Sequence, residues 1–418
     1  MNSYQKSSLA FLFSYRFFER LAFYSMVALI MKVLLPISTQ DSSHNLGTIY
    51  SVFYSIIAIS AVLSAILGDF KNRPKVVLTG FIIVLILLVL ITLVSIDSYL
   101  KSILLIPLGF GFGMIGTNTS VLLGDIYVEK KEEIKALPGF VIHSIIIDVA
   151  VLISGLISLW FIYKTAVQIR TLLILLEVIL AFIFFLFFKK SFEKIERAPI
   201  TADLKYESTN HKYLNGYILS VTLILALVFA IISNQKIVII STYLWQYTTD
   251  LWPLSFAYEK IETLFSILLM GGFLVFIFMI RNLKWKTIFQ FLAIGAATFA
   301  LAYTILAFFD FAVLFQLNAA NTILIMGLLV LVGTIIHPII SYIIYRSAPR
   351  KHKGLFMGVL SAIYAIAGTS MAFNYQVSNA IGYGWFFVII AITAISLVFF
   401  VLKIIKSIEQ KQSVENNL

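Results

Sequence analysis

Arg16, Glu19, Arg20 and Phe23 follow the i, i+3, i+4, i+7 spacing that sets four side chains on one face of a helix, and the three charges interrupt an apolar stretch. An ionisable side chain at the centre of a membrane helix costs about 2.5–3.5 kcal/mol even on the lenient insertion scale, so each is a functional candidate. Glu19 is within reach of both arginines. Its plainest duty is to neutralise one of them so that the helix inserts. Yet three charges exceed what insertion needs, and none lies near an end from which it could snorkel. Farther on, Asp148 stands alone in the apolar HSIIIDVA (143–150), Asn234, Gln235 and Lys236 close another apolar run, and His337 precedes Pro338. A carboxylate that alternates between an arginine partner and isolation changes its proton affinity strongly, so Glu19 and Asp148 are the acids expected to carry a proton if one is carried. Lys236 either binds an anionic group or snorkels to the interface. His337 either accepts a proton or hydrogen-bonds the carbonyl that Pro338 frees in the preceding turn. Asn118 and Ser120 read as interhelical hydrogen-bonding residues, with substrate contact as the other role.

These residues need a bilayer around them. At 61% hydrophobic and 12% charged over 418 residues, the chain is far from the composition of a soluble domain. A hydrocarbon core about 30 Å thick is crossed by about 20 helical residues. Apolar runs of that length without strict alternation select helices rather than a barrel. Spans are expected at about 8–35, 48–68, 75–96, 102–124, 139–162, 167–189, 212–242, 260–281, 285–309, 318–346, 354–376 and 382–405, an all-α membrane protein of twelve transmembrane helices. The charges of the first segment make it a permanent helix rather than a signal peptide. The longest polar stretch, Lys189 to Lys212, divides the spans six and six. The expected domains are an N-terminal six-helix bundle (1–190), a cytoplasmic linker (191–211) and a C-terminal six-helix bundle with a short tail (212–418).

The formal net charge of +11 is explained by where the 31 Lys and Arg fall. Lys101, Lys164, Arg170 and Lys260 lie in loops of one side, Arg16, Arg20, Lys32 and Lys236 within spans, and all the others on the opposite side. By the positive-inside rule both termini are expected in the cytoplasm, the protein being multi-pass in the inner (plasma) membrane. The basic loops meet anionic lipid head groups, and nucleic acid is not an expected partner. Cysteine is absent and the five histidines are scattered, so no thiol chemistry or metal cluster is expected. The glycine runs lack the lysine and hydroxyl residue of a phosphate-binding loop, which gives ATP-driven transport no support. His143 and Asp148 spell H-x-x-x-x-D, but five residues on a helix turn the side chains apart by about 140°, so the pattern does not converge on a substrate atom. The chain reads as neither an enzyme nor a cofactor binder. The glycines of GFGFGMIG (109–116) read as close helix packing.

Four segments together resemble the proton-coupled oligopeptide transporter (POT, or PTR) family of the major facilitator superfamily. RFFERLAFYS (16–25) is similar to the family's E-x-x-E-R-F-x-Y-Y-G at Glu19, Arg20 and Tyr24. GDFKNRPK (68–75) resembles A-D-x-x-x-G-R-x-K with one residue fewer. GMIGTNTSVLLGDIY (113–127) resembles G-G-I-K-P-N-V-S-A-L-x-G-D-Q-Y, and GTIIHPIISYIIYRSAPRKHKGLFMG (333–358) resembles the family's helix 10–11 segment. The order and spacing of the four carry the match. The resemblance implies the major facilitator fold of two six-helix bundles, each of inverted three-helix repeats, alternating about a midplane site.

Several anchors that the resemblance implies are replaced. The first motif glutamate is Arg16, and the helix 4 lysine aligns with Gly116. A site tyrosine is Phe23, a helix 2 tyrosine aligns with Ala58, a helix 1 arginine falls near Val27, and the glutamates of helices 7 and 10 fall at Ser233 and Thr334. The helix 5 asparagine becomes Asp148. The family's quartet of two glutamates, an arginine and a lysine sums to zero charge, and so does Arg16, Glu19, Arg20 and Asp148. The expectation is therefore a rewired neutral network in which Asp148 faces Arg16 or Arg20. The function implied is secondary transport of a small organic solute, peptide-like or an amino-acid derivative, by alternating access of a monomer, with protons as the coupling ion. The alternative is a transporter-like receptor or assembly partner that moves nothing.

Overall fold

The computed structural model describes residues 3–33, 42–93, 98–127, 136–162, 167–196, 209–235, 258–279, 284–312, 319–369 and 371–416. Among them run thirteen α-helices in chain order. They are α1 (Ser3–Val33), α2 (Ser42–Phe70), α3 (Arg73–Leu93), α4 (Ser98–Tyr127), α5 (Ala136–Ile162), α6 (Val167–Glu196), α7 (Thr209–Gln235), α8 (Tyr258–Met279), α9 (Trp285–Phe311), α10 (Ala319–Ser347), α11 (Lys353–Thr369), α12 (Met371–Ile381) and α13 (Tyr383–Asn416). Each predicted span meets one helix, except that the span at 354–376 falls on both α11 and α12.

Nine of the helices in the described residues are long and apolar enough to cross a membrane, by length and composition. The first helix is not one of them, because every 18-residue stretch of Ser3–Val33 contains Arg16, Glu19 and Arg20. Its polar start is nevertheless helical and anchored. Gln5 is buried and its Nε2 donates to the Ile126 carbonyl at 3.1 Å, satisfying an end-of-helix acceptor of α4.

The chain forms two compact units, Met1–Leu204 with Ala348–Ile366, and Lys205–Ser347 with Ala367–Leu418. In the first unit α1 packs along α6 and α5, and α4 packs against α2 and α3. The α1–α6 seam is antiparallel and aromatic: Phe11 stacks on Phe187 at 5.6 Å, Tyr15 meets Phe185 edge-on at 5.5 Å, and Phe18 lies parallel to Phe184 at 5.6 Å. Such pairs add about 0.5–1.5 kcal/mol each beyond the area they bury. The most enclosed span of this unit is that of α4, 72% buried against 39% for α3. Its glycines explain why. A Cβ at Gly113 would stand 2.8 Å from the Ile57 carbonyl oxygen of α2, and one at Gly111 would stand 3.2 Å from the Gly80 carbonyl oxygen of α3, so two helices approach α4 to backbone contact.

In the second unit α9 packs on α13 and α10, and α10 packs on α7 and α8. The Tyr303 hydroxyl of α9 donates to the Ile232 carbonyl at 2.9 Å, which closes an acceptor near the end of α7. Arg346 near the end of α10 lies 4.4 Å over the Trp285 ring that opens α9.

Candidate functional site

The helix register of α1 brings its three charges into one buried cluster. Glu19 is 1% exposed, and its Oε2 accepts from Arg16 Nη1 at 2.8 Å. Arg20 Nε lies 3.1 Å from the same oxygen, without the alignment of a hydrogen bond. Arg16 is 4% exposed, while the Arg20 side chain retains 16%. Glu19 Oε1 and Arg16 Nε are buried with no hydrogen-bond partner among the described residues.

Two elements hold the Arg20 guanidinium. Phe23, one helical turn on, places its ring 5.0 Å below it, and that ring is itself fixed against Phe112 of α4 at 5.3 Å and Phe53 of α2 at 6.2 Å. On α4 the guanidinium lies over Gly116, where a Cβ would stand 2.5 Å from Arg20 Nη2 and 3.6 Å from Arg16 Nη1. The position that aligns with the family's lysine is therefore filled by a guanidinium reaching across from α1.

The α5 residues lie around the same charges. Tyr24 is close enough to interact electrostatically with Arg20, Asp148, Arg16 and Glu19. Asp148 is half-buried. His143 is 6% exposed, with a buried Nε2 that has no hydrogen-bond partner among the described residues, and it interacts electrostatically with both arginines. In the sequence His143 belonged only to a chance pattern. Its charge environment comes from the neighbouring helix, which no spacing along α5 reveals.

Asn118 is fully buried, and its Nδ2 donates to the Ser64 carbonyl of α2 at 3.3 Å and to Met114 of its own helix at 2.9 Å. It tethers α4 to α2. In the second unit Asn234 is half-buried at the end of α7, beside Gln235, whose Nε2 bonds back to the Ile231 carbonyl at 2.6 Å. His337 is half-buried in α10 directly before Pro338. Lys236 lies outside the described residues. The structure thus gathers Arg16, Glu19, Arg20, Tyr24 and Asp148 in the first unit, and Asn234 and His337 fall in the second.

Three of the motif segments converge at one end of the first unit. Arg73 pairs with Asp69 and places its Nε 3.5 Å from Asp125 Oδ2. The Asp69 carboxylate also accepts the Gly354 amide at 2.9 Å and the Leu355 amide at 2.8 Å, the free donors that open α11. Gly354 and Gly358 permit this approach, since a Cβ at Gly354 would stand 2.6 Å from the Ala65 carbonyl oxygen and one at Gly358 2.8 Å from Ala65 Cβ. Asp69→Asn keeps the shape but removes the charge from three contacts. We expect it to lower stability by about 2–4 kcal/mol, read as a fall in the unfolding midpoint of the purified protein in detergent.

A family model described as Major Facilitator Superfamily matches residues 12–372. No curated protein sequence matches the chain. Among solved structures it is similar to a POT family transporter in complex with a thioalcohol-conjugated peptide, at 18% identity and TM-score 0.71 over 96% of each chain. It is similar to a POT family transporter in complex with 5-aminolevulinic acid, at 17% identity and TM-score 0.67 over 96% of each chain. It is also similar to the human organic anion transporter TETRAN, at 12% identity and TM-score 0.73 over 96% of this chain and 100% of that one. At these identities the likeness is one of fold.

Proposed function

We infer that this chain, which belongs to the Major Facilitator Superfamily, moves a small carboxylate-bearing organic solute, peptide-like or an amino-acid derivative, across the membrane by alternating access. As a multi-pass membrane protein whose family and structural neighbours are transporters, it has its chemistry in binding and release rather than in bond making. The observation that carries the substrate class is the α1 cluster: two guanidiniums on one carboxylate oxygen, with the more exposed one, Arg20, braced by Phe23 over Gly116. An excess guanidinium with donors to spare, held away from bulk water, favours a carboxylate that can take two of its N–H groups. In the second unit, Ser233 and Thr334 fall at the sequence positions where the resemblance implies glutamates. An ammonium group then gains no carboxylate partner there, so N-acylated or otherwise uncharged ends are preferred over a free amine. Neighbours solved with a conjugated peptide and with 5-aminolevulinic acid fit a site that takes small carboxylates.

Proton coupling is part of this proposal, with Glu19 and Asp148 as the acids. A proton on Asp148 would change the balance around Tyr24 and the arginines, and solute arrival at Arg20 would change it again. The proposed frame is two six-helix bundles joined by 191–211, with both termini cytoplasmic. The experiment is uptake into proteoliposomes with and without an inward pH gradient. The solutes are di- and tripeptides, N-acyl amino acids and small carboxylates. Saturable uptake of carboxylate solutes is expected, weakened when the carboxylate is amidated. Asp148→Asn is expected to cut gradient-driven uptake at least about tenfold. Near-normal uptake by Asp148→Asn would refute the Asp148 role. No flux across the whole set would favour the receptor reading.

A further inference from the structure

One buried acid of the first unit takes no part in the α1 cluster. Glu177 of α6 is 8% exposed. It interrupts the apolar run Leu172–Ala181, which otherwise holds no polar residue. The antiparallel register of the aromatic seam determines what it meets. Lys194 faces Tyr4, Ser191 faces Ser8, Phe187 faces Phe11 and Phe184 faces Phe18, so the seam brings Glu177 to Ser25. There the carboxyl hydrogen-bonds the Ser25 hydroxyl, and Ser25 in turn contacts Ser154 Oγ of α5 at 3.3 Å. The second carboxyl oxygen, Oε2, is buried without a hydrogen-bond partner among the described residues.

Among the described residues, the charged and titratable groups of the helices around this acid either meet the α1 cluster or lie turns away along their helices. From α1 come Tyr15, Arg16, Glu19, Arg20 and Tyr24, whose charges centre on Glu19. From α5 come His143 and Asp148, which interact with that same cluster. The only ionisable residues of α3 are Arg73 and Lys75 at its start, the former paired with Asp69. On α6 itself Arg170 lies two turns before Glu177, and Lys189 and Lys190 lie more than three turns beyond. Among the described residues no ion pair reaches Glu177. A bare carboxylate so enclosed costs several kcal/mol, whereas a carboxylic acid has the Ser25 hydroxyl as a partner and leaves only a neutral oxygen unpaired.

We propose that Glu177, with Ser25 and Ser154, is a proton-binding site of this protein, separate from the Arg16–Glu19–Arg20 cluster. Ser25 lies six residues along α1 from Glu19, about 9 Å of helix rise, so a proton bound at Glu177 is held less than two turns from the charges that the solute engages. For its consequence in coupling this rests on the transporter reading; for proton binding itself it does not.

The test uses the full-length protein in detergent and needs no solute. A hydrophobic carbodiimide attacks protonated carboxyl groups in apolar surroundings. Peptide mass spectrometry is expected to find its adduct on Glu177, falling roughly tenfold from acidic to alkaline buffer as the proton is withdrawn. Infrared spectra are expected to show a protonated-carboxyl band over the same range that Glu177→Gln abolishes. Ser25→Ala, which keeps the acid and removes its hydroxyl, is expected to displace the pH at which labelling falls, so the result stands even where Glu177→Gln does not fold. Labelling that is absent at every pH in folded protein, or that is pH-independent and suppressed only by sodium, overturns the proposal. Solute flux without Glu177 labelling sinks this inference alone. Labelling without any flux sinks the transport reading and leaves the proton site standing.

Discussion

Lysine at position 116 is expected to suppress uptake, although the family that the sequence resembles carries lysine there. A Cβ at Gly116 would already stand 2.5 Å from Arg20 Nη2 and 3.8 Å from its Cζ, so any side chain must first displace the guanidinium. A lysine also adds a third cation to two arginines that share one carboxylate oxygen. Like charges at such range in a water-poor site cost several kcal/mol. We expect uptake by Gly116→Lys to fall at least about a hundredfold, or ~2.7 kcal/mol in the barrier, with the protein still monodisperse on size exclusion. Gly116→Ala is expected to fall less, because a methyl shifts the guanidinium without adding charge. The decisive variant is the double one. If the Arg20 guanidinium stands in for the lysine, then Gly116→Lys with Arg20→Leu restores the present charge count and recovers part of the uptake. A double variant no better than the single one would show that Arg20 has a duty a lysine from α4 cannot perform.

The same pair of positions marks how far the sequence is informative. That lysine is replaced by glycine, and glutamate by Arg16, is plain in the alignment of motifs. That the glycine makes room for a reach by Arg20 depends on the crossing of α1 and α4, a distance no motif encodes. The α4 glycines, read from sequence as close packing, do meet backbone on α2 and α3, because only small residues let helices approach that far. The motif aspartates and glycines are legible as types. Their convergence, with Asp69 on the amides of α11, requires the fold, since the partners lie nearly three hundred residues apart.

Glu177 was open to the same reasoning that singles out Arg16 and Glu19. It is one acid in an apolar run, and the cost of an ionisable residue inside a membrane applies to it equally. It matches no family motif, and attention to motifs passes over it.

Neutralising Glu19 does more damage than removing either of its arginines. Its Oε2 lies 2.8 Å from Arg16 Nη1 and 3.1 Å from Arg20 Nε, so Glu19→Gln strands two cations at once, one of them 4% exposed. Breaking a buried pair from one side costs about 3–5 kcal/mol, because the remaining charge keeps its desolvation penalty and loses its partner. Arg16→Met, by contrast, leaves the Glu19–Arg20 pair and removes the more buried cation along with its unpartnered Nε. The expected order of folded yield in the membrane is wild type, then Arg16→Met, then Glu19→Gln, with the last lost or nearly so. Adding Arg16→Met to Glu19→Gln removes one stranded cation and should recover folded protein. The double-mutant cycle then returns a coupling of several kcal/mol between Arg16 and Glu19, where two independent insertion costs would add to zero coupling. Recovery of folding without recovery of uptake would separate the two duties of Glu19, holding α1 in the unit and setting the charge that Arg20 presents to a solute.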